Sequence, residues 1–363
     1  MDALHRLLRR TLRPIMLQYV SSGLHTVAKV QQMRTPTLDR VMKWTAWSVS
    51  VEFYATFLPL LVWIGRWQLA CRLTYLMMTC LYVGNALKDL LSIPRPFYLA
   101  EENIHAIQKV GSHKGSQRTD TEEYGLPSTH ALNGLCFSMY TLVELNRIGY
   151  LVGKQLYIAI GGAIAWVSLV CFGRVYLGMH CPADVVVGLL LGTCILPLWC
   201  IVDRWLVPWL VTSSHVVLYH VLLTSMLIAA YPQPVAHTPS FKYCMSFVGA
   251  SLGLLFSVWS NNNGRLEGLW LDLSGEAWSL VLLKRVALGL GVTILLKKAS
   301  KNLGMLLLRP LCNVLESNAK VEKPAKGQRT SDTFVLAVHM SSYGVLGWST
   351  FYFCPLLFDW LGM

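Results

Sequence analysis

Charged residues are scarce in this sequence: Asp, Glu, Lys and Arg together make up 14% of its 363 residues, against about 25% in an ordinary soluble domain. The sequence also lacks Cys-x-x-Cys pairs and Asn-x-Ser/Thr acceptor sites, so it indicates neither a redox compartment nor N-glycosylation. Hydrophobic residues, by contrast, make up 54% of the chain. This balance excludes a disordered chain, a nucleic-acid-binding domain and an ordinary water-soluble enzyme, and it predicts a multi-spanning membrane protein.

Acidic residues are the scarcer of the two charge types: 19 Asp and Glu stand against 31 Lys and Arg, a net charge of +12. In so apolar a chain we expect the excess positive charge to face lipid headgroups and anionic ligands, with no nucleic acid as partner. Residues 1–43 begin with arginines interleaved with leucines, and no apolar segment with a cleavage site follows. They are predicted to form a basic amphipathic segment on the membrane surface, with a solvated basic tail as the alternative.

Long apolar runs divide the rest of the chain into candidate membrane spans. A crossing needs about 20 mostly apolar residues, and eight runs satisfy this: 44–64, 68–87, 129–146, 156–172, 183–202, 210–230, 243–260 and 334–358. A ninth run, 278–296, has Lys284 and Arg285 near its middle, where charge is costly, so it is interpreted as shifted, interfacial or paired with Glu276. The predicted fold is all-α: a polytopic transmembrane helical bundle, with a six-span core at 44–230 and an extension at 231–363 holding two or three spans.

Two polar segments are predicted to meet at one membrane face. Segment 88–126 follows the second span, and the third and fourth spans leave that face and return to it, which places 173–182 on the same side. The first segment begins with Lys-x6-Arg-Pro and ends with Pro-Ser-Thr-His, and the second contains Arg-x5-His-x3-Asp. The residues of these strings that can carry chemistry are Lys88, Arg95, Ser128, Thr129, His130, Arg174, His180 and Asp184.

These residue types, together, suit phosphoryl transfer. Arg and Lys bind phosphate oxygens, and the free N–H groups at a helix start point at the same anion. His180 and Asp184 are four residues apart, so the carboxylate can fix the imidazole tautomer and leave the other ring nitrogen as a nucleophile. His130 is then available to protonate the leaving oxygen. The set predicts metal-independent phosphoryl transfer through a phosphohistidine, with no cofactor.

The three strings resemble the signature motifs of the type 2 phosphatidic acid phosphatase superfamily, Lys-x6-Arg-Pro, Pro-Ser-Gly-His and Ser-Arg-x5-His-x3-Asp. Within it, Tyr-Gly-Leu-Pro-Ser-Thr-His-Ala and Arg-Val-Tyr-Leu-Gly-Met-His most resemble the sphingosine-1-phosphate (long-chain base phosphate) phosphatases of the endoplasmic reticulum. The resemblance extends over about 44–230. Thr129 stands where the general pattern has Gly, as in the sphingoid branch, and Gly173 stands where it has Ser, so a hydroxyl contact to phosphate is missing.

The resemblance implies a role for each matched residue. His180 is the expected nucleophile, His130 the general acid and Asp184 the partner that orients His180. The expected phosphate ligands are Lys88, Arg95, Ser128, Thr129 and Arg174. It also implies that 44–230 is the catalytic core of a multi-pass protein of the endoplasmic reticulum membrane, which dephosphorylates a sphingoid-base phosphate drawn from the bilayer.

Two acidic residues near these motifs are not assigned to catalysis. Asp89 follows Lys88 and is interpreted as steadying it. Glu52 lies inside the first predicted span, where an ionisable group is a functional candidate, but it also suits a position near the membrane interface. We predict no catalytic role for Glu52.

Alternatives to this function stay open. The substrate is also compatible with another phosphate ester, such as phosphatidic acid, a polyprenyl pyrophosphate or glucose 6-phosphate, and a non-catalytic transporter or scaffold would use the same cations. The last spans either wall a lipid cavity or mediate dimerisation, which leaves a homodimer open. Basic residues before residue 44 favour a cytosolic site by the positive-inside rule, whereas the resemblance implies a luminal one.

Overall fold

The structure, a computed structural model, describes residues 2–102, 107, 123–235, 238–260, 280–318 and 330–363. These ranges contain fourteen α-helices, one π-helical segment and no strand, so the all-α prediction is confirmed. In chain order the elements are α1 (Asp2–Ser22), α2 (Leu24–Gln31), α3 (Pro36–Trp47), α4 (Val51–Trp63), α5 (Trp67–Leu91), α6 (Pro96–Glu102), α7 (Thr129–Arg147), α8 (Lys154–Tyr176), α9 (Pro182–Thr212), α10 (Val216–Ala230), α11 (Ser240–Ser260), α12 (Leu280–Asn318), α13 (Thr330–Trp348), the π-helical segment Ser349–Phe353 and α14 (Cys354–Trp360).

Four stretches of the described residues are long and apolar enough to cross a membrane: Trp67–Leu99, Lys154–Tyr176, Pro182–Leu210 and Ser240–Ser260. A fifth is added if α3 and α4, bent by 56° at their break, form one crossing. The eight or nine crossings predicted from the sequence exceed this number. One reason is the 15-residue helix α10, which at 1.5 Å per residue falls short of a hydrocarbon core about 30 Å thick.

The run predicted as a span at 44–64 is not one unbroken helix, because the chain breaks between α3 and α4. The hydroxyl of Ser48 donates to the carbonyl oxygen of Thr45 (2.7 Å), and the hydroxyl of Ser50 accepts from the backbone N–H of Phe53 (3.3 Å). Serine side chains that bond locally to the backbone in this way stabilise helix ends. The apolar character of the run does not show this break.

The first two residues of the ninth predicted run, 278–296, lie outside the described residues, and so does Glu276. The remainder of the run forms the beginning of α12. Here Lys284 is exposed, whereas Arg285 is buried and its guanidinium lies 5.9 Å from the ring centroid of Phe358. An aromatic face therefore offsets part of the cost of burying this charge.

The chain forms two compact units, each assembled from segments that are distant in the sequence. Unit 1 comprises Met1–Ala55, Thr79–Asp203 and Met226–Phe241, and unit 2 comprises Thr56–Met78, Arg204–Ser225 and Lys242–Met363. All eight residues predicted to carry chemistry lie in unit 1. In unit 2, Gly249 and Gly253 of α11 lie so close to carbonyl oxygens of α13 that neither position has room for a Cβ atom.

The N-terminal helices α1 and α2 pack in unit 1 against the chain that carries the site. Val20, Leu24 and Val27 are almost completely buried. They share an apolar cluster with residues that lie close to the predicted motifs: Leu91, Ile93, Phe97, Leu126, Ala131, Val175, Cys181 and Val185. Leu7 and Tyr19 of α1 are exposed, as expected for an amphipathic helix with one face toward lipid.

A single arginine fixes α1 to the end of α5. The guanidinium of Arg9 donates to the carbonyl oxygens of Leu90 (2.6 Å) and Asp89 (3.0 Å), and also to that of Gln233. Carbonyl groups in the last turn of a helix have no partner within the helix and carry partial negative charge. Arg9 therefore supplies hydrogen-bond donors to the last carbonyl groups of α5, immediately beside Lys88.

Candidate active site

The end of α5 brings the first two cations together. α5 ends at Leu91, and Ser92 follows with a left-handed φ of 50°, a conformation that few residues other than glycine adopt. The backbone N–H of Ser92 donates to the carbonyl oxygen of Lys88 (2.8 Å). Lys88 in the last turn of α5 and Arg95 just before α6 both reach the same acidic residue.

That residue is Glu123, which sequence reasoning missed. Its carboxylate accepts from Nζ of Lys88, and Nη2 of Arg95 lies 3.4 Å from the same carboxylate oxygen. Nε of Arg95 also donates to the main-chain oxygen of Glu123 (2.9 Å). Burial opposes ionisation of Glu123, but the nearby charges of Lys88 and Arg95 hold its pKa below its usual value. The only signal in the sequence is an acid directly before the Tyr-Gly-Leu-Pro-Ser-Thr-His string.

The beginning of α7 carries the next two predicted ligands. The hydroxyl of Ser128 accepts from the backbone N–H of Ala131 (3.5 Å), which makes Ser128 the N-cap, and Thr129 accepts from Nζ of Lys88 (3.1 Å). The backbone N–H of Ser128 donates to the carbonyl oxygen of Asp184 (2.9 Å). Gly188 lies directly against the Ser128 carbonyl, with no room for a Cβ atom. The starts of α7 and α9 are therefore in contact.

The end of α8 positions Arg174 and His180. Gly178 has a left-handed φ of 71°, and after it the backbone N–H groups of Met179 and His180 both donate to the carbonyl oxygen of Arg174, at 3.1 and 3.2 Å. The turn folds His180 back over the last turn of the helix. Arg174 is buried, and its Nε has no hydrogen-bond partner among the described residues.

His180 and Asp184 form the predicted pair, in a loose geometry. Nδ1 of His180 lies 3.5 Å from Oδ2 of Asp184, and that oxygen accepts from the backbone N–H of Cys181 (2.8 Å). Neither ring nitrogen of His180 has a hydrogen-bond partner among the described residues, although the side chain is fully buried. Burial, followed by the charge of Arg174, holds the pKa of His180 well below its usual value. This environment favours the neutral imidazole, in which one ring nitrogen has a free lone pair.

His130 is subject to the same positive charges as His180. It lies in the first turn of α7 and is partly buried. The charges of Arg174, Lys88 and Arg95 act on both His130 and His180. The structure thus brings two histidines into the field of three buried cations, which is the arrangement that phosphoryl transfer to and from an imidazole needs.

The structure adds to two sequence-based interpretations. The carboxylate of Asp89 accepts hydrogen bonds from the hydroxyls of Tyr231 and Thr238, both at 2.8 Å, so it fixes the end of α5 to the segment before α11 rather than steadying Lys88 by a hydrogen bond. A side chain at Gly173 would meet Met42 and Thr45 of α3 at 3.2 and 3.3 Å. Close packing against α3 explains the glycine at this position.

Comparison with known proteins shows the family of the chain. Residues 69–208 match the family model of the PAP2 superfamily. The lipid phosphate phosphatase delta of Arabidopsis thaliana is 34% identical over 309 residues, which cover 85% of this chain and 73% of that protein. The chain belongs to the PAP2 superfamily. The predicted resemblance is therefore confirmed, and the chain is a multi-pass membrane phosphatase of this lipid phosphatase family.

Other relatives of this PAP2 protein carry more specific names. A dihydrosphingosine 1-phosphate phosphatase of Schizosaccharomyces pombe is 26% identical over 328 residues, which cover 87% of this chain and 76% of that protein. The human sphingosine-1-phosphate phosphatase 2 is 25% identical over 326 residues, with coverage of 86% and 75%. A solved PAP2-type phosphatidylglycerolphosphate phosphatase of Bacillus subtilis aligns with a TM-score of 0.42 at 20% identity, covering 55% of this chain and 95% of that one.

Proposed function

We propose that this PAP2 protein removes the phosphate from sphingosine 1-phosphate or a related long-chain base phosphate in the endoplasmic reticulum membrane. Relatives from yeast and human that align with more than four fifths of the chain are named for this activity. The Tyr-Gly-Leu-Pro-Ser-Thr-His string supports the same substrate class. In this proposal residues 44–230 form the catalytic core, 1–43 form the amphipathic segment and 231–363 form the C-terminal extension.

His180 acts as the nucleophile in the proposed reaction. One of its ring nitrogens attacks phosphorus, so a P–N bond forms as the P–O bond to the lipid breaks. His130 donates a proton to the departing oxygen, and the product is the lipid alcohol. His130 then takes a proton from water, which attacks phosphorus, breaks the P–N bond and releases inorganic phosphate.

The remaining site residues bind and position in this proposal. Lys88, Arg95 and Arg174 neutralise the phosphate oxygens, together with Ser128 and Thr129 at the start of α7. Asp184 orients His180 through Nδ1. One observation carries the proposal: a buried imidazole with an unpartnered nitrogen, within the field of three buried cations.

A substrate panel tests the lipid class. The purified protein is given sphingosine 1-phosphate, phosphatidic acid, a polyprenyl pyrophosphate and glucose 6-phosphate at equal concentrations, and released phosphate is measured. We expect the highest kcat/KM with sphingosine 1-phosphate. A preference for phosphatidic acid would refute the sphingoid assignment and support a broader lipid phosphate phosphatase, the activity for which the Arabidopsis relative is named.

A further inference from the structure

The carboxylate of Glu123 occupies the donors that the substrate's phosphate needs. It accepts a hydrogen bond from Nζ of Lys88 and forms an ion pair with Nη2 of Arg95, and the positive charge of Arg174 also acts on it. The side chains of Lys88 and Arg95 are only 1% and 7% exposed, whereas that of Glu123 is 18% exposed. Of these three side chains, that of Glu123 is therefore the most exposed to solvent. An incoming phosphate would compete with its carboxylate for the same cations.

The main chain of Glu123 stays beside the site when its side chain moves. Its carbonyl oxygen accepts from Nε of Arg95 (2.9 Å), and the backbone N–H of Gly125 donates to the carbonyl oxygen of Ile93 (2.8 Å). A displaced carboxylate therefore remains within one side-chain length of the bound phosphate. There it is a negative charge beside a second negative charge, which is unfavourable unless a cation pairs with it.

We propose that Glu123 is a specificity-determining residue whose carboxylate passes from Lys88 and Arg95 to the ammonium group of an amino-lipid phosphate when the phosphate binds. The inference rests on the proposed function, because a sphingoid-base phosphate carries its ammonium on the carbon next to the phosphorylated carbon. The exchange leaves every charge paired: the cations bind phosphate, and Glu123 binds ammonium. With phosphatidic acid, which has no amine, Glu123 is left unpaired beside the phosphate.

The test compares two lipids that differ at one group. One is sphinganine 1-phosphate, and the other is its analogue with a hydroxyl in place of the amine; kcat and KM are measured for wild type and Glu123→Gln. We expect wild type to have a higher kcat/KM for sphinganine 1-phosphate than for the hydroxyl analogue. In Glu123→Gln we expect the ratio of these two kcat/KM values to fall by about tenfold or more, mainly because KM for sphinganine 1-phosphate rises. Hydrolysis of the hydroxyl analogue by Glu123→Gln shows that the variant folds.

Glu123→Asp and Glu52→Gln serve as controls. The first keeps the charge and is expected to keep part of the preference, and the second removes an exposed carboxylate of α4 and is expected to leave the preference unchanged. The inference is overturned if wild type treats the two lipids alike, or if Glu123→Gln changes both rates by the same factor. A wild-type protein that hydrolyses phosphatidic acid faster than either lipid contradicts the proposed function itself.

Discussion

The imidazole of His180 is buried without a hydrogen-bond partner for either ring nitrogen among the described residues. An unpartnered ring nitrogen is available as a nucleophile, but a buried imidazole without a partner lowers the stability of the folded protein in acid. Burial and the charge of Arg174 set the pKa of the folded state below the ordinary histidine value, which is about 6.5 in an unfolded chain. Below that pH the unfolded state binds a proton that the folded state does not, so acid favours unfolding.

We therefore predict that His180→Gln flattens the pH dependence of stability. As the pH falls from about 7.5 to about 5.5, through the unfolded-state pKa, the Tm of wild type in phosphate-free detergent should decrease more than that of His180→Gln. Other histidines titrate in both proteins and cancel in the comparison. Parallel Tm profiles for the two proteins would show that His180 does not remain neutral in the fold.

In the proposed mechanism Asp184 acts through His180, so its removal should affect turnover rather than binding. Asp184→Asn keeps an oxygen for the Cys181 N–H bond but loses the charge that stabilises the imidazole as its nitrogen attacks. We expect kcat to fall by about 10²–10⁴ with KM changed less than threefold, by analogy with other oriented histidines. Steady-state kinetics measure this, and a rise in KM with unchanged kcat would place Asp184 in substrate binding instead.

At the scale of elements, the turn after α8 decides where His180 lies. Gly178 has φ 71°, and an L-residue there costs about 1–2 kcal/mol. Gly178→Ala should lower Tm and also reduce kcat, because it displaces the backbone of His180 from Arg174. Gly149 offers a matched control: its φ is 77°, and a Cβ atom there would meet nothing within 4 Å.

Gly149→Ala is therefore expected to cost similar stability while leaving kcat close to that of wild type. Thermal unfolding and phosphate release on the same preparations separate the two effects. If both variants lose stability and activity in the same proportion, the turn at Gly178 has no special role in positioning the nucleophile.

At the scale of the whole molecule, Arg9 of α1 binds main-chain oxygens beside Lys88. We therefore predict that the N-terminus and the candidate active site face the same compartment. In sealed vesicles we expect an N-terminal tag and the phosphatase activity to be protected together or exposed together. Protease protection of the tag and latency of phosphate release measure this. A tag cleaved in vesicles whose activity stays latent would contradict the docking of α1.

How much the sequence predicts depends on how local each feature is. Apolar runs predict helices well, but they hide the break between α3 and α4, where single serine hydroxyls bond to the backbone. The order of the motifs along the chain predicts that their residues lie together, and the catalytic roles of these residues stay predictions. Glu123 was not predictable, because its partners Arg95 and Lys88 lie 28 and 35 residues away, and neither spacing nor composition indicates such a contact.

The most direct test of the central claim is phosphate release from sphingosine 1-phosphate in the presence of EDTA, with wild type beside His180→Ala. The account predicts that wild type stays active with the chelator, because protein cations and not a metal ion neutralise the phosphate, and that His180→Ala loses the activity. Undiminished activity of His180→Ala, or loss of wild-type activity to EDTA that an added divalent cation restores, would contradict it.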